Sequence, residues 1–525
     1  KRSVLGGRNF EYFSEDPVLS GELGAAFING VQSQGVGTSL KHYAANNVET
    51  RRMHMNSDVD DRTLHEIYLT PFEIAVKKAQ PWTIMASYNR IQGTYGTENT
   101  ELLTEILRKQ WGFQGIVISD WFAIVDRVAA VRAGMHVEMP GLNAVNDKLI
   151  IDAVNSGELD EALVDSLVTD ILTIVFRAKS LEKQDVELDV DGHHGHARRV
   201  ASEAITLLKN RNNVLPVDTK RHTDIAIIGE FAVNPRFQGN GSSEVKPTRL
   251  DQFLELAKRE YGDQVTFKYA QGYQLADDDD FSLIDEARRV AASADIALVF
   301  AGLPLTYESE GIDRTHIDMP ASHNRLISEI AKAQENTVVV LSNGSAVTMP
   351  WADEVDGILE TWLAGQAGAG GIADVIFGKV NPSGKLAETF PVRLADTPAF
   401  FNFPGEQGEV LYGEQIFVGY RYYDKKEIEP LFPFGFGLSY TEFEYSGLEF
   451  SAANITDETG LDVSVRIRNS GDVAGKEVVQ LYVSDPQSSL QRPHKELKKF
   501  AKVALEPGEE KTVRFHLSGR DFSYY

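Results

Sequence analysis

From residue 1 to about residue 182, short β-rich runs alternate with helix-patterned stretches, and this alternation limits the fold more than any other feature. "VGTSLKHYAA" (36–45), "PWTIMASYN" (81–89), "GIVISDW" (115–121) and "RAGMHVEMP" (132–140) each open apolar and close on polar or aromatic residues. Helical patterns such as "TELLTEILRKQW" (100–111) lie between them. Reactive side chains gathered at the C-terminal ends of successive parallel strands are what a (β/α)8 barrel displays, because its site is built from the loops at that face. An open doubly wound sheet would alternate too, but no GxGxxG turn follows a strand here. The expectation is the later part of a barrel.

The third of these strands raises the main question. Ile116, Val117 and Ile118 form a buried-looking run that finishes on Asp120 and Trp121. A carboxylate at such a place costs free energy unless something pairs with it, so Asp120 is either a paired structural residue or a working one. Trp121 beside it is the largest aromatic side chain.

Composition narrows the partners. The 525 residues carry 77 acidic and 52 basic side chains, a net charge of -25, which opposes nucleic acid and anionic membrane surfaces and suits a neutral or cationic ligand. There is no cysteine, hence no disulfide framework and no thiolate metal site. No apolar run approaches the length of a membrane span. "KRSVLGGRNFEYFSEDP" reads as the middle of a domain, so the absence of a leader leaves localisation open.

Beyond the barrel, "KQDVELDVDGHHGH" loses periodicity, and residues 183–196 read as a linker with His193, His194 and His196 solvated rather than metal-binding. An α/β sandwich is expected over 197–400: the helix "ARRVASEAITLLKN" (197–210), then the strands "DIAIIG", "DIALVFAG", "TVVVLSNG" and "GILETWLAG". "DDDD" (277–280) suits a helix start. "GKVNPSGKL" is not a phosphate loop, since five residues rather than four separate its glycines and Leu386 stands in place of the hydroxyl. After a connecting segment at 401–440, the strands "LDVSVRIRNSG", "KEVVQLYVSDP", "KKFAKVAL" and "KTVRFHL" predict a β-sandwich of immunoglobulin or fibronectin type III kind over 441–525, its last strand missing at "DFSYY".

Eight strings in this order, "GRNFEYFSEDP", "KHYAANNVETRR", "IMASYN", "GIVISDW", "LLKNRNNVLPV", "SEGIDR", "NPSGKLAETFP" and "PFGFGLSYTEF", resemble glycoside hydrolase family 3, in particular its β-glucosidase branch. The resemblance implies a multidomain α/β protein: a partial (β/α)8-type barrel, an α/β sandwich and a fibronectin type III-like domain. It implies Asp120 as nucleophile and Glu310 of "YESEGIDR" as acid/base, with Glu308 in reserve. Retaining hydrolysis uses two such carboxyl groups about 5 to 5.5 Å apart. The general acid has to stay protonated near neutral pH, which a loop closing over a partly apolar pocket would achieve by desolvation.

By the same resemblance Arg8, Lys41, His42 and Arg52 bind sugar hydroxyls and keep Asp120 ionised, Tyr88 lies against the nucleophile and Met85 lies near the same pocket. His136 departs from the family at a position where an aspartate is common. An aspartate upstream of "GRNF" and the first barrel strands, both expected in the family, are not in these residues. The implied activity is exo-acting and retaining on terminal β-D-glucosyl residues of small β-glucosides or cello-oligosaccharides, without metal or organic cofactor. A β-xylosidase or arabinosidase and a sugar-binding module without turnover remain alternatives, and homo-oligomerisation stays open. The N-acetylglucosaminidase branch would carry a "KHFPGHG"-like loop, which "KHYAANN" lacks.

Overall fold

The structure is a computed structural model of the chain, and it describes residues 1–142, 144–181, 187–275, 280–456 and 458–525. Strands Ser39–Tyr43, Thr83–Ala86 and Ile116–Ser119 lie side by side and parallel in that order. Tyr43 pairs with Ala86, and Ala86 with Ser119, so the three C-terminal ends are level. Everything that follows them, including Tyr88 and Asp120, therefore emerges at one rim. Crossover connections contain helix Thr70–Ala79 and the wide-turned π-type helix Glu101–Gln110, whose Leu102, Leu103, Ile106 and Leu107 are buried. Helix Pro17–Gln32 packs against Thr70–Ala79. Its start is fixed by Asp16, whose side chain accepts from the Leu19 N–H, with Pro17 in the first turn, where a missing N–H costs nothing.

"RAGMHVEMP" was expected to form a fourth strand. Among the described residues it makes one isolated parallel bridge, Val137 to Ile118. The reason is His136: its buried Nδ1 accepts the Val117 N–H at 3.1 Å, so an imidazole occupies a ladder position that a carbonyl would fill. Nε2 of the same ring faces Arg108 at 2.9 Å and Asp170 at 3.2 Å.

The second region is a six-stranded sheet ordered Thr206–Asn210, Gly357–Glu360, Thr337–Ser342, Ile296–Gly302, Asp224–Ile228, Thr266–Ala270. All neighbours are parallel except the first pair. Ile296–Gly302 and Thr337–Ser342 are buried at every position, as expected for parallel strands covered by helices on both faces.

Two sequence expectations fail here. The helix read over 197–210 ends at Ala204, and Thr206–Asn210 is the antiparallel edge strand. Thr206, Leu207 and Leu208 are buried in succession, which suits a strand covered on both faces and not a one-sided helix. The same helix begins at Val190, capped by Asp189, inside the segment read as a linker. His193 and His196 are exposed, but His194 is buried, with Nε2 2.8 Å from Asp251 and Nδ1 3.0 Å from Gln366. That histidine is a packing tie, and among the described residues no acidic, histidine or cysteine group has the form of a metal site. Asp277 to Asp279 lie outside the described residues. Asp280 accepts from Ser282, and the next helix starts at Ile284.

The third region packs the sheet Phe443–Phe450, Leu461–Asn469, Glu510–Leu517 over the pair Gly475–Val483 and Glu496–Leu505. Ile467, Val479, Leu505 and Val513 form its centre. The connecting segment returns to the first region. Strand Glu409–Leu411 pairs with Asn56–Asp58, and the buried Arg421 holds Asp16 at 2.8 Å.

Candidate active site

Asp120 follows strand Ile116–Ser119 directly, and its N–H donates to Ala86 O at 3.3 Å, so the neighbouring strand sets where the carboxylate stands. One carboxylate oxygen, Oδ1, accepts from the Trp121 N–H at 2.8 Å. The other, Oδ2, is buried, and among the described residues no hydrogen bond reaches it. His42 Nε2 lies 3.4 Å from it. Burial, then the charges of Arg8, Lys41 and Arg52, hold the His42 imidazole well below its ordinary pKa, so the ring is neutral near pH 7. Its Nδ1 sits 2.8 Å from the Tyr12 hydroxyl. A neutral ring that accepts the Tyr12 proton at Nδ1 carries its own proton on Nε2, facing Asp120.

Tyr88, two residues past strand Thr83–Ala86, is buried beside the same carboxylate. Burial first, then the Asp120 charge, push its phenol well up, so it is a neutral donor. Trp121 is 47 % exposed and forms an open aromatic surface next to Asp120. Met85 pairs with Ile118, and both are half-buried on the same face of the sheet. Lys41 Nζ is 3.5 Å from Glu11 and partly exposed. A cleft lined by Tyr12, Phe13, Asn46 and Tyr68 borders Lys41 and His42 but reaches neither Asp120 nor Glu310.

Glu310 comes from the second region. Its Oε1 pairs with Arg52 Nη2 at 2.9 Å and with Arg8 Nη1 at 3.4 Å. Its Oε2 accepts the Ser242 N–H at 2.7 Å. Burial pushes this carboxyl up, but the Ser242 hydrogen bonds and the Arg8 and Arg52 guanidiniums outweigh it and bring the pKa down to about 2. The expectation of a carboxyl held protonated by desolvation is therefore not met. Cationic donors converge on it and keep it ionised. Glu308 is in a different environment: 1 % exposed, its Oε2 accepting the Gly344 N–H at 2.8 Å, its pKa raised by burial.

Arg52 connects the two sides. Besides Glu310 it binds Glu49 at 2.7 Å, and its guanidinium lies over the Tyr88 ring at 4.6 Å from the centroid. Arg8 is likewise engaged, with Nε and Nη2 both 2.7 Å from Glu11. Sequence reasoning missed Glu11, Glu49, Tyr12 and Ser242. Glu11 and Glu49 each stand three residues from their arginine, and that spacing was a usable signal. Ser242 lies in "GNGSS", a glycine-rich loop whose Gly241 has φ +116° and would set a Cβ 2.4 Å from the Glu310 Cβ.

Comparison with known proteins agrees with this architecture. Residues 2–174 match the glycosyl hydrolase family 3 N terminal domain, 205–440 the glycosyl hydrolase family 3 C-terminal domain, and 477–525 a fibronectin type III-like domain. Thermostable beta-glucosidase B of Acetivibrio thermocellus is 55% identical over 526 residues, covering 100% of this chain and 69% of that protein. An exo-alpha-(1->6)-L-arabinopyranosidase of Bifidobacterium breve is 46% identical, covering 100% and 70%. The crystal structure of the Bifidobacterium adolescentis GH3 beta-glucosidase superposes with a TM-score of 0.95 at 45% identity, covering 100% of this chain and 77% of that one. Beta-glucosidase 3B of Thermotoga neapolitana in complex with glucose superposes at 0.91 and 36% identity, covering 100% and 78%. The chain belongs to glycoside hydrolase family 3, with the barrel-type, α/β and fibronectin type III-like regions of its β-glucosidase structures, and it is a glycoside hydrolase.

Proposed function

We propose that this chain serves a retaining, exo-acting β-glucosidase that removes terminal non-reducing β-D-glucosyl residues by double displacement, with Asp120 as nucleophile and Glu310 as acid/base. The observation that carries the reading is Asp120 itself: a buried carboxylate at a parallel strand's C-terminal end whose Oδ2 has only the donors His42, at 3.4 Å, and Tyr88 beside it and no tight hydrogen bond. A structural aspartate in that position would have its oxygens satisfied.

In the first step Oδ2 forms a bond to the anomeric carbon as the bond to the leaving oxygen breaks, and Glu310 transfers its proton to that oxygen. In the second, the Glu310 carboxylate takes a proton from water, the water oxygen bonds to the anomeric carbon, and the bond to Asp120 breaks. Glu310 must acquire a proton before the first step. Sugar hydroxyls that engage Arg8 and Arg52 draw these guanidiniums off the carboxylate while the ring excludes water, which removes two of the causes that keep Glu310 ionised and shifts it toward the neutral acid. His42 and Tyr88 remain neutral donors beside Asp120, and Trp121 supplies the stacking surface.

Sugar identity is set at the non-reducing ring, since the donors converge on one site. A second reading has support from the arabinopyranosidase relative: the pocket takes an α-L-arabinopyranosyl ring, a pyranose without the C6 hydroxymethyl. Proton NMR of the first-formed sugar from an aryl β-glucoside tests the main reading. A β-configured product is expected, and an initial α product contradicts it.

A further inference from the structure

Glu310 and Asp120 belong to different regions of the fold, so the geometry of the pair depends on what fixes one region against the other. At the loop that carries Glu310, the fixing is reciprocal. Asp313, from the Glu310 side, accepts the N–H groups of Glu49 at 2.9 Å and Thr50 at 2.7 Å, and the Thr50 hydroxyl at 2.8 Å, all on Oδ2. Its Oδ1 accepts the Gly7 N–H at 3.1 Å. In return Glu49, from the barrel side, accepts the Gly311 N–H at 2.8 Å and Arg52 Nη1 at 2.7 Å on its Oε2. Each loop thus lends a carboxylate to the other's backbone. The approach is close enough that a Cβ on Gly7 would fall 1.6 Å from Ile312 O.

We propose that Asp313 and Glu49 are positioning residues, a two-way carboxylate lock that holds the 309–314 loop and thereby Glu310 in register with Asp120. The inference rests on the reading of Glu310 as acid/base. Charge-assisted hydrogen bonds to backbone N–H groups are short and directional, and Asp313 and Glu49 lie on either side of Glu310 in the fold: Gly311 is its chain neighbour, and Arg52, held by Glu49, is its ion-pair partner. A lock of this kind acts on proton transfer and leaves nucleophilic attack by Asp120 alone, because Asp120 is anchored to its own sheet.

The test is Asp313→Asn. Whichever way the amide turns, its NH2 meets a backbone N–H that formerly had an acceptor. With misplacement near 1 Å costing about 100-fold in rate, kcat/KM for cellobiose, whose first step needs the general acid, should fall by roughly that factor. For a dinitrophenyl β-glucoside, whose first step needs little protonation, kcat/KM should stay within about threefold, while kcat falls with the general-base step that all substrates share. Should Asp313→Asn fail to fold, Thr50→Val removes one donor at nearly constant shape and should show the same selectivity at smaller amplitude. Equal losses of kcat/KM on both substrates, or none on either, overturn the lock. Glu310→Ala separates the two claims: selective loss there without it in Asp313→Asn removes the positioning role alone, whereas equal losses in Glu310→Ala remove the acid/base reading itself.

Discussion

Arg52 Nη2 lies 2.9 Å from Glu310 Oε1 while Nη1 of the same guanidinium lies 2.7 Å from Glu49, so one side chain of the barrel holds a carboxyl of the α/β region ionised. Arg52 is thus one of the groups, with Ser242 and Arg8, that lower the proton affinity of Glu310. Removing that cation raises the Glu310 pKa, because an opposite charge near a carboxylate favours the ionised form. In Arg52→Ala the alkaline limb of kcat/KM for cellobiose should move to higher pH even as the rate falls. A full pH-rate profile checks this, and a limb that stays or moves down contradicts it.

Glu310→Ala should lose about 100-fold or more in kcat/KM for cellobiose and far less in kcat/KM for a dinitrophenyl glucoside, since general acid catalysis contributes about 10²- to 10⁴-fold where the leaving group is poor. Azide, which needs no general base, should restore part of the rate and give a β-glucosyl azide. Glu308→Ala should do neither. It is sealed against the Gly344 N–H, and its loss is expected to lower stability, as removal of a buried carboxylate with partners does. Product analysis of the two variants side by side decides the assignment.

Glu360 makes a prediction about pH and stability. It is fully buried, with Oε1 accepting Trp362 N–H at 2.8 Å and Oε2 accepting Asn343 at 3.0 Å. Burial raises its pKa from 4.5 to about 8 against these hydrogen bonds. The folded protein then binds a proton that the unfolded chain releases, so its contribution to stability is full below about pH 4.5 and is lost as pH rises through about 8. Thermal midpoints of Glu360→Gln from about pH 5 to about pH 9 should decline less steeply than those of the parent. A parallel decline would contradict the assignment.

Substrate choice follows from donors that converge on one ring. An aryl β-glucoside should be used better than the matching β-xyloside or α-L-arabinopyranoside, because donors placed for an absent hydroxymethyl or hydroxyl group are left unpaired in a buried site. Comparative kcat/KM values measure this directly, and preference for either pentoside would transfer the assignment to the second reading.

Much of this site is visible in the chain because strand ends announce themselves. "SLKHY", "TIMA" and "IVIS" finish level in one sheet, which is why His42, Tyr88 and Asp120 meet. What the residues did not disclose has physical reasons. "ITLLKN" pairs good helix formers with a sheet edge that uses them as a strand, a case of tertiary burial overriding local preference. Strand Thr266–Ala270 is half-exposed and lacks an apolar run, and Phe443–Phe450 is interrupted by Gly447 at φ +58°. His194 looked solvated because its partners Asp251 and Gln366 are 57 and 172 residues away. The ionised state of Glu310 could not be read from "YESEGIDR", since it is made by Arg8, Arg52 and Ser242, none of them adjacent in sequence.

The most direct test of the central claim is to trap the covalent intermediate. A 2-deoxy-2-fluoro-β-glucoside with an activated leaving group should form a glycosyl-enzyme quickly, and the fluorine should slow its hydrolysis enough for the labelled protein to be digested and sequenced by mass spectrometry. The sugar should be found on Asp120, and Asp120→Asn should take up no label, with turnover lower by about 10⁴-fold or more. A label on any other residue, or undiminished labelling of Asp120→Asn, would contradict the account.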